Sequence, residues 1–357
     1  MFFSKIYLLL SAILSASIAD ADFFYENEPT TYHVDHYLGD DFEHSGLTRE
    51  DSFASIQKGI DQALDGDTVL VWPGLYEEEI DFLGKAIMVQ SADDAATIKG
   101  PGKNSSIAVS FFSGEDSSSV LRNFIIRDSL VGLFIVGASP RIEFVTVVYN
   151  TVGLEAQFGA QPWVANSIFW DNSQADLFQA VASFSCVERG SSGLGSFSMD
   201  PLFADPNDDN FRLLSEAGRY DPNGCDGYGG LGSCIWVSDL ISSPCIDAGD
   251  PFVHPSPEAQ PNGARINIGA YGRTSFASKS FNDWPKESDV NRDGSVDIHD
   301  LRILASIWLD TCDISSGEPS IVCHTSDDDS DDDDELINYE AIVTLSQEWL
   351  WQARWIE

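Results

Sequence analysis

Between Val120 and Phe178 the chain repeats itself every 21 to 22 residues, and this period limits the possible folds more than any other feature. Leu121-Arg-Asn-Phe-Ile-Ile-Arg-Asp-Ser-Leu-Val-Gly-Leu133 aligns with Ile142-Glu-Phe-Val-Thr-Val-Val-Tyr-Asn-Thr-Val-Gly-Leu154, and again with Val164-Ala-Asn-Ser-Ile-Phe-Trp-Asp-Asn172. Asn123, Phe144 and Asn166 share one register, and Gly132 and Gly153 share another. Each unit reads as a short β-run, a polar turn near Asn150 or Asn172, and a second short run closed by a small-residue turn. One such coil cannot bury its inward face alone, so the units must stack, and a parallel β-solenoid follows. A β-sandwich, which would show hairpin-type turn spacing, ranks second.

Upstream, Ser52 to Leu64 places Phe53, Ile56, Ile60 and Ala63 on one helical face, stops at Asp65-Gly66 and leads into a strand over Thr68 to Trp72. This predicts a helix capping the first coil, with winding begun by the Pro73-Gly74 turn, Glu79 to Phe82 and Ala86 to Gln90.

A different pattern appears near the C-terminus. Asp289-Val-Asn-Arg-Asp-Gly-Ser-Val-Asp-Ile-His-Asp300 sets oxygen-bearing side chains at loop positions 1, 3, 5, 9 and 12, with Gly294 at position 6. Ca2+ takes six to eight hard oxygen ligands, and so short a loop encircles an ion only if alternate side chains point inward and glycine takes the bend. Asp289, Asn291 and Asp293 would ligate directly, Ser295 through its carbonyl, Asp297 through water, and Asp300 with both oxygens. The competing reading is an acidic turn before a helix.

The N-terminus has Lys5 followed by the apolar run Ile6 to Ile18 and small residues at Ala19 and Ala21. It reads as a secretory signal peptide over residues 1–21, which predicts a secreted or cell-surface protein without a membrane span in the mature chain. Nineteen basic against 58 acidic residues give a formal charge of -39, which argues against nucleic acid as a partner. Six cysteines in an exported chain suggest disulfides: Cys312 with Cys323 locally, and others among Cys186, Cys225, Cys234 and Cys245, whose connectivity the sequence leaves open. No zinc spacing, nucleophile elbow or phosphate loop is present.

The calcium-type loop ends in Asp300 where EF-hands carry Glu and runs into Leu301-Arg-Ile-Leu-Ala-Ser-Ile-Trp308. It resembles a dockerin repeat. That resemblance implies a second copy, and Ile337 to Trp349 aligns with the first at an offset of 41 residues, Asn338 matching Asp297 and Trp349 matching Trp308, so that the second loop runs from Ser330 to Ala341. The second loop departs from the pattern, with Glu335 replacing the glycine and Ala341 the last carboxylate. It also implies a cohesin-type partner protein, met through loop positions 10 and 11: Ile298 with His299, and Tyr339 with Glu340.

The stretch from Gly46-Leu-Thr through Val69-Leu-Val-Trp-Pro-Gly-Leu-Tyr76 resembles the N-terminal cap of right-handed parallel β-helix proteins of the pectate-lyase-like superfamily. Asp200-Pro-Leu-Phe203, Ser243-Pro-Cys-Ile-Asp-Ala-Gly-Asp-Pro251 and Arg265-Ile-Asn-Ile-Gly-Ala-Tyr271 look like its closing coils. The reading is therefore a right-handed parallel β-helix over residues 22–276, a linker over 277–288, and a small α-helical, EF-hand-like dockerin domain over 289–357. Extracellular polysaccharide is the partner implied.

A site must still be argued from its residues. Asp128 and Asp171 occupy one register two coils apart, with Tyr149 between them. Stacked coils place the two carboxylates roughly 10 Å apart, so the trio offers a sugar both stacking area and hydroxyl acceptors. Turn-capping is the competing role for these aspartates. A lyase or glycosidase needs a convergent carboxylate set, with a basic group in the lyase case, and the repeat shows only a weak one, so a binding or structural role stands beside the catalytic one.

Overall fold

The computed structural model describes residues 28–92, 94–102, 105–189, 193–221, 235–263, 265–281, 286, 288–290 and 296–311. The chain divides at Thr30, and everything below concerns the unit that begins at Thr31.

The period becomes a parallel β-solenoid. Strand β1 (Thr31–Val34) and helix α1 (Ile56–Gln62) come first. The first coil is β2 (Thr68–Val71), β3 (Leu75–Glu77) and β4 (Ile80–Asp81), and the second is β5 (Met88–Ser91), β6 (Ala96–Lys99) and β7 (Ile107–Phe111). The third is β8 (Val120–Arg122), β9 (Phe124–Arg127) and β10 (Val131–Val136). The fourth is β11 (Arg141–Glu143), β12 (Thr146–Val148) and β13 (Val152–Gln157). The fifth is β14 (Trp163–Ala165), β15 (Ile168–Trp170) and β16 (Ala175–Phe178), after which β17 (Ala182–Ser183) and β18 (Cys186–Val187) end the winding. Sheet 1 stacks β1-β2-β5-β8-β11-β14-β17, sheet 2 stacks β3-β6-β9-β12-β15-β18, and sheet 3 stacks β4-β7-β10-β13-β16.

In-register stacking makes the core. Val69, Val89, Leu121, Ile142 and Val164 form one inward column on sheet 1, and Ile98, Ile126, Val147, Phe169 and Val187 form another on sheet 2. Each fully buried aliphatic side chain contributes about 1.5–3 kcal/mol.

Helix α1 starts later than its apolar pattern suggests. Ser55 is its N-cap, accepting from Lys58 N, while Phe53 forms a parallel bridge to Val34 and extends sheet 1 instead. Ile56 and Ile60 seal the core beside β1 and β2, and a Cβ at Gly59 would stand 2.7 Å from Val69 Cγ1, so glycine there sets how closely the helix approaches.

The corners repeat as well. Asn123, Phe144 and Asn166 adopt positive φ of 62°, 51° and 53° between sheets 1 and 2. At the next corner the side chains form a ladder: Ser129 N donates to Asn150 Oδ1 at 3.0 Å, and Asn150 N donates to Asn172 Oδ1 at 3.1 Å. Gly132 and Gly153 leave room for it, since a Cβ at Gly153 would lie 2.5 Å from Asp176 O and 3.0 Å from Asn172 Nδ2.

The C-terminal segments do not add coils. The described residues between 200 and 281 carry two antiparallel pairs, β19 (Phe203–Asp205) with β20 (Asn210–Leu213) and β21 (Arg219–Asp221) with β22 (Ile235–Val237), and apolar residues among them cover the outer face of sheet 2. The reason is the composition of sheet 2. Its strands are apolar on both faces, so Ile125, Val148 and Ile168 need a cover, which Phe211, Tyr271, Ile246 and Ile268 provide. Asn123 Nδ2 donates to Ala270 O at 3.0 Å and to Gly272 O at 2.9 Å, and Asp250 N donates to Asn166 Oδ1 at 2.7 Å, so the corner asparagines hold this wrap in place. The acidic turn Asp205 to Asn210 is the hairpin connection between β19 and β20.

Helix α2 (Ile298–Thr311) begins within the last three residues of the Asp289–Asp300 stretch. No helix among the described residues is long and apolar enough to cross a membrane.

Candidate functional site at the turn between sheets 2 and 3

The structure brings Asp128, Tyr149 and Asp171 together. Each is the first residue after a sheet 2 strand, and Arg127, Val148 and Trp170 before them are register partners. All three take positive φ, at 56°, 58° and 53°, so one turn geometry repeats on three successive coils. Aspartate tolerates this region and tyrosine seldom visits it. The stacked coils above and below hold Tyr149 in a conformation it would not choose alone.

The wrap adds to the site. Arg127 pairs with both Asp128 and Asp209, the latter on the β19-β20 connection. Tyr149 packs against Phe211 with ring centroids 5.9 Å apart and remains partly exposed. Asp171 N donates to Glu188 Oε2 at 3.1 Å. Burial first, then the carboxylates of Asp171, Asp128 and Asp209, raise the Tyr149 phenol, so its hydroxyl stays protonated and can donate. Burial, with Glu188 and Asp200 nearby, raises the Asp171 carboxyl. The result is one aromatic hydroxyl in the field of three carboxylates, two of them paired with Arg127. Asp209, Glu188 and Asp200 come from outside the aligned repeat, so the register carried no signal for them.

Two outer faces differ from this one. On sheet 1, Glu143 accepts from Arg122 Nε at 3.0 Å and Arg141 Nη2 at 2.6 Å, and the Arg141 guanidinium lies 5.0 Å from the Trp163 ring centre, a self-satisfied network. On sheet 3, Phe134, Glu155 and Phe178 are register partners with side chains outward, and Phe112 meets Phe134 edge-on at 5.5 Å. Phe112 and Phe178 are exposed. Phe112 reaches Phe134 from beside this column, since the register partner of Phe134 on β7 is Ser110.

Of the calcium-type loop, Asp289, Asp297 and Asp300 are described, whereas Asn291, Asp293 and Ser295 lie outside the described residues. Asp289 and Asp300 are both buried, and Asp300 Oδ2 accepts from Asp297 N at 2.7 Å at the start of α2. Asp297 Oδ1 accepts from His299 N at 2.8 Å. Val290 O accepts from Arg265 Nη2 at 3.4 Å, which ties the loop's second residue to the wrap. Among the described residues no three His, Cys, Asp or Glu side chains are grouped closely enough to hold a metal. The second dockerin-like loop, with Tyr339 and Glu340, and the cysteines Cys225, Cys234, Cys312 and Cys323 also lie outside the described residues.

Family models, curated proteins and solved structures, each compared with the chain, give no match.

Proposed function

We propose that this is a secreted, right-handed β-helix protein that binds extracellular polysaccharide on the turn face formed by Asp128, Tyr149 and Asp171, and carries a dockerin-like, Ca2+-binding attachment module at its C-terminus. The observation that carries the reading is the half-exposed Tyr149, held by its neighbours between two carboxylates on adjacent coils. A rigid aromatic flanked by acceptors stacks on a sugar ring and takes hydrogen bonds from its hydroxyls with little ordering cost. Binding is favoured over catalysis because Arg127 holds Asp128 and two arginines hold Glu143, which takes both carboxylates out of acid and base work; Asp171, beside Glu188 and Asp200, is the carboxylate left to a catalytic role, and the screen below tests it. In the attachment module, Asp289, Asn291, Asp293, Ser295, Asp297 and Asp300 are the ligands, and a cohesin-type protein is the partner.

The test is a binding screen of the purified protein against neutral and acidic polysaccharides, reading retention together with unsaturated products and reducing ends. Retention without product, weakened at least tenfold in Tyr149→Ala, supports the reading. Product formation abolished by Asp171→Ala would replace it with a lyase or glycosidase. Retention unchanged in Tyr149→Ala would make the face structural.

A further inference from the structure

The last strand of sheet 2 presents Cys186 outward. It follows Ile168 in register, and both belong to the cluster between sheet 2 and the wrap, not to the solenoid core. Cys245 enters the same cluster from the wrap, two residues after Ser243, whose Oγ accepts from Cys245 N at 3.1 Å. Both are thiols, both are fully buried, and they stand on opposite sides of one small apolar cluster, near enough for the Cys186 sulfur to act on the Cys245 thiol. Cys186 Sγ donates to Met199 O at 3.1 Å. Ile268 N donates to Cys245 O at 3.1 Å, so the backbone on the wrap side is fixed independently of the sulfur.

We infer that Cys186 and Cys245 are the residues of an intramolecular disulfide that staples the wrap onto the final coil of the solenoid. Two buried thiols that face one apolar cluster from opposite sides of an interface need little beyond loss of their hydrogens to be joined. The position is useful because β18 ends the three-sheet winding, and the wrap is what covers the outer face of that strand. A bond there prevents the wrap from lifting and exposing Ile168 and Ile246 to water.

The chemistry balances through exchange with an external disulfide. One cysteine thiolate attacks a sulfur of the oxidant, forming a mixed disulfide and expelling the first oxidant thiol. The second cysteine then attacks the mixed disulfide at the protein sulfur and expels the second oxidant thiol. Overall, two protein thiols and one oxidant disulfide become one protein disulfide and two oxidant thiols. Burial, and then the neighbouring Cys186 sulfur, push the Cys245 thiol up, so the exchange belongs to folding, before the wrap closes. Once closed, the bond is shielded from reductant. The pairing rests on the wrap geometry alone; only its formation in the cell rests on the secreted reading above.

The experiment separates the two. The full chain is unfolded, reduced, refolded in reduced and oxidised glutathione, alkylated, and mapped by mass spectrometry without reduction. The expected product is a cross-linked peptide pair containing Cys186 and Cys245, lighter than its two thiol peptides by two hydrogens. Alkylation at both positions, or either one joined to Cys225, Cys234, Cys312 or Cys323, would overturn the inference. In a second arm, reductant is expected to lower the unfolding midpoint of the wild type but not that of Cys245→Ser. Equal response of the two proteins overturns the stapling role.

Discussion

Arg212 Nη2 lies 2.6 and 2.7 Å from the two carboxylate oxygens of Asp94, a residue 118 positions earlier in the chain. The contact joins β20 of the wrap to the turn between β5 and β6 of the solenoid. The guanidinium is almost fully buried, 4.4 Å from the Tyr271 ring centre and 5.3 Å from that of Tyr220. It thus fixes where the wrap sits along the solenoid, which hydrophobic cover alone does not specify.

Removing the Asp94 carboxylate leaves that buried cation without its counter-charge. Because Asp94 itself is partly exposed, the cost falls below that of a fully buried pair, and Asp94→Ala is expected to destabilise by about 2 kcal/mol. Hydrogen exchange is the measurement. Protection should fall first in β19 and β20, whereas a uniform loss through sheet 1 would count against a local clamp.

Asn150 satisfies four partners, and its replacement should be costly. Its Nδ2 donates to Ile126 O at 3.1 Å, Val148 O at 3.0 Å and Asn172 Oδ1 at 3.1 Å, while its Oδ1 takes Ser129 N. Asn150→Ala orphans buried groups on two coils, a loss of about 2–4 kcal/mol in denaturant unfolding. Asn150→Asp should be no milder at neutral pH, since it turns an oxygen toward three acceptors. Stability within 0.5 kcal/mol of wild type, about the scale of an ordinary surface substitution, would refute the ladder's structural weight.

Glu258 gives a pH dependence of definite sign. Burial raises its carboxyl well above the ordinary value, although Arg273 N at 2.6 Å and Asn267 N at 2.9 Å, both donating to Oε1, act in the other direction. A raised acid binds its proton more tightly in the folded state. Its stabilising contribution is therefore full below the unfolded value of about 4.3 and is lost as pH rises from there through the folded value. Glu258→Gln keeps the oxygen that accepts both amides and never ionises. The difference in unfolding free energy between this variant and the wild type should grow in favour of the variant as pH rises from 4 toward 8, and a constant difference would show that the group is not raised.

Calcium should bind the first loop and not the second. Four carboxylates within twelve residues, Asp289, Asp293, Asp297 and Asp300, are expected to repel one another unless a cation joins them, and a ligand specific for the folded loop at about a hundred times its dissociation constant stabilises by about 2.7 kcal/mol. Titration calorimetry of the full chain is expected to show one tight site, removed by Asp300→Ala and retained in Asp334→Ala. Two equally tight ions, or none, would overturn the division into one working and one decayed loop.

The solenoid was legible in the chain because each coil must repeat the same solution. Asn123, Phe144 and Asn166 share a register in sequence and a positive φ in the structure, and Gly132 with Gly153 mark where the asparagine ladder needs room. Asp128, Tyr149 and Asp171 fall on one turn for the same reason. Periodicity is local information, and stacking converts it directly into position. The wrap has no period. Its segments resembled further coils, yet they fold over sheet 2, because strands such as Ile168-Phe-Trp170 are apolar on both faces and only long-range packing decides what covers the outer one. The contacts between Asp94 and Arg212 and between Tyr149 and Phe211, and the burial of Cys186 with Cys245 in one cluster, all follow from that one event. The sequence by itself determined the coil and the register of its turn residues, and tertiary structure decided which face stays open, because burial of an apolar surface favours any complementary partner and does not encode which one.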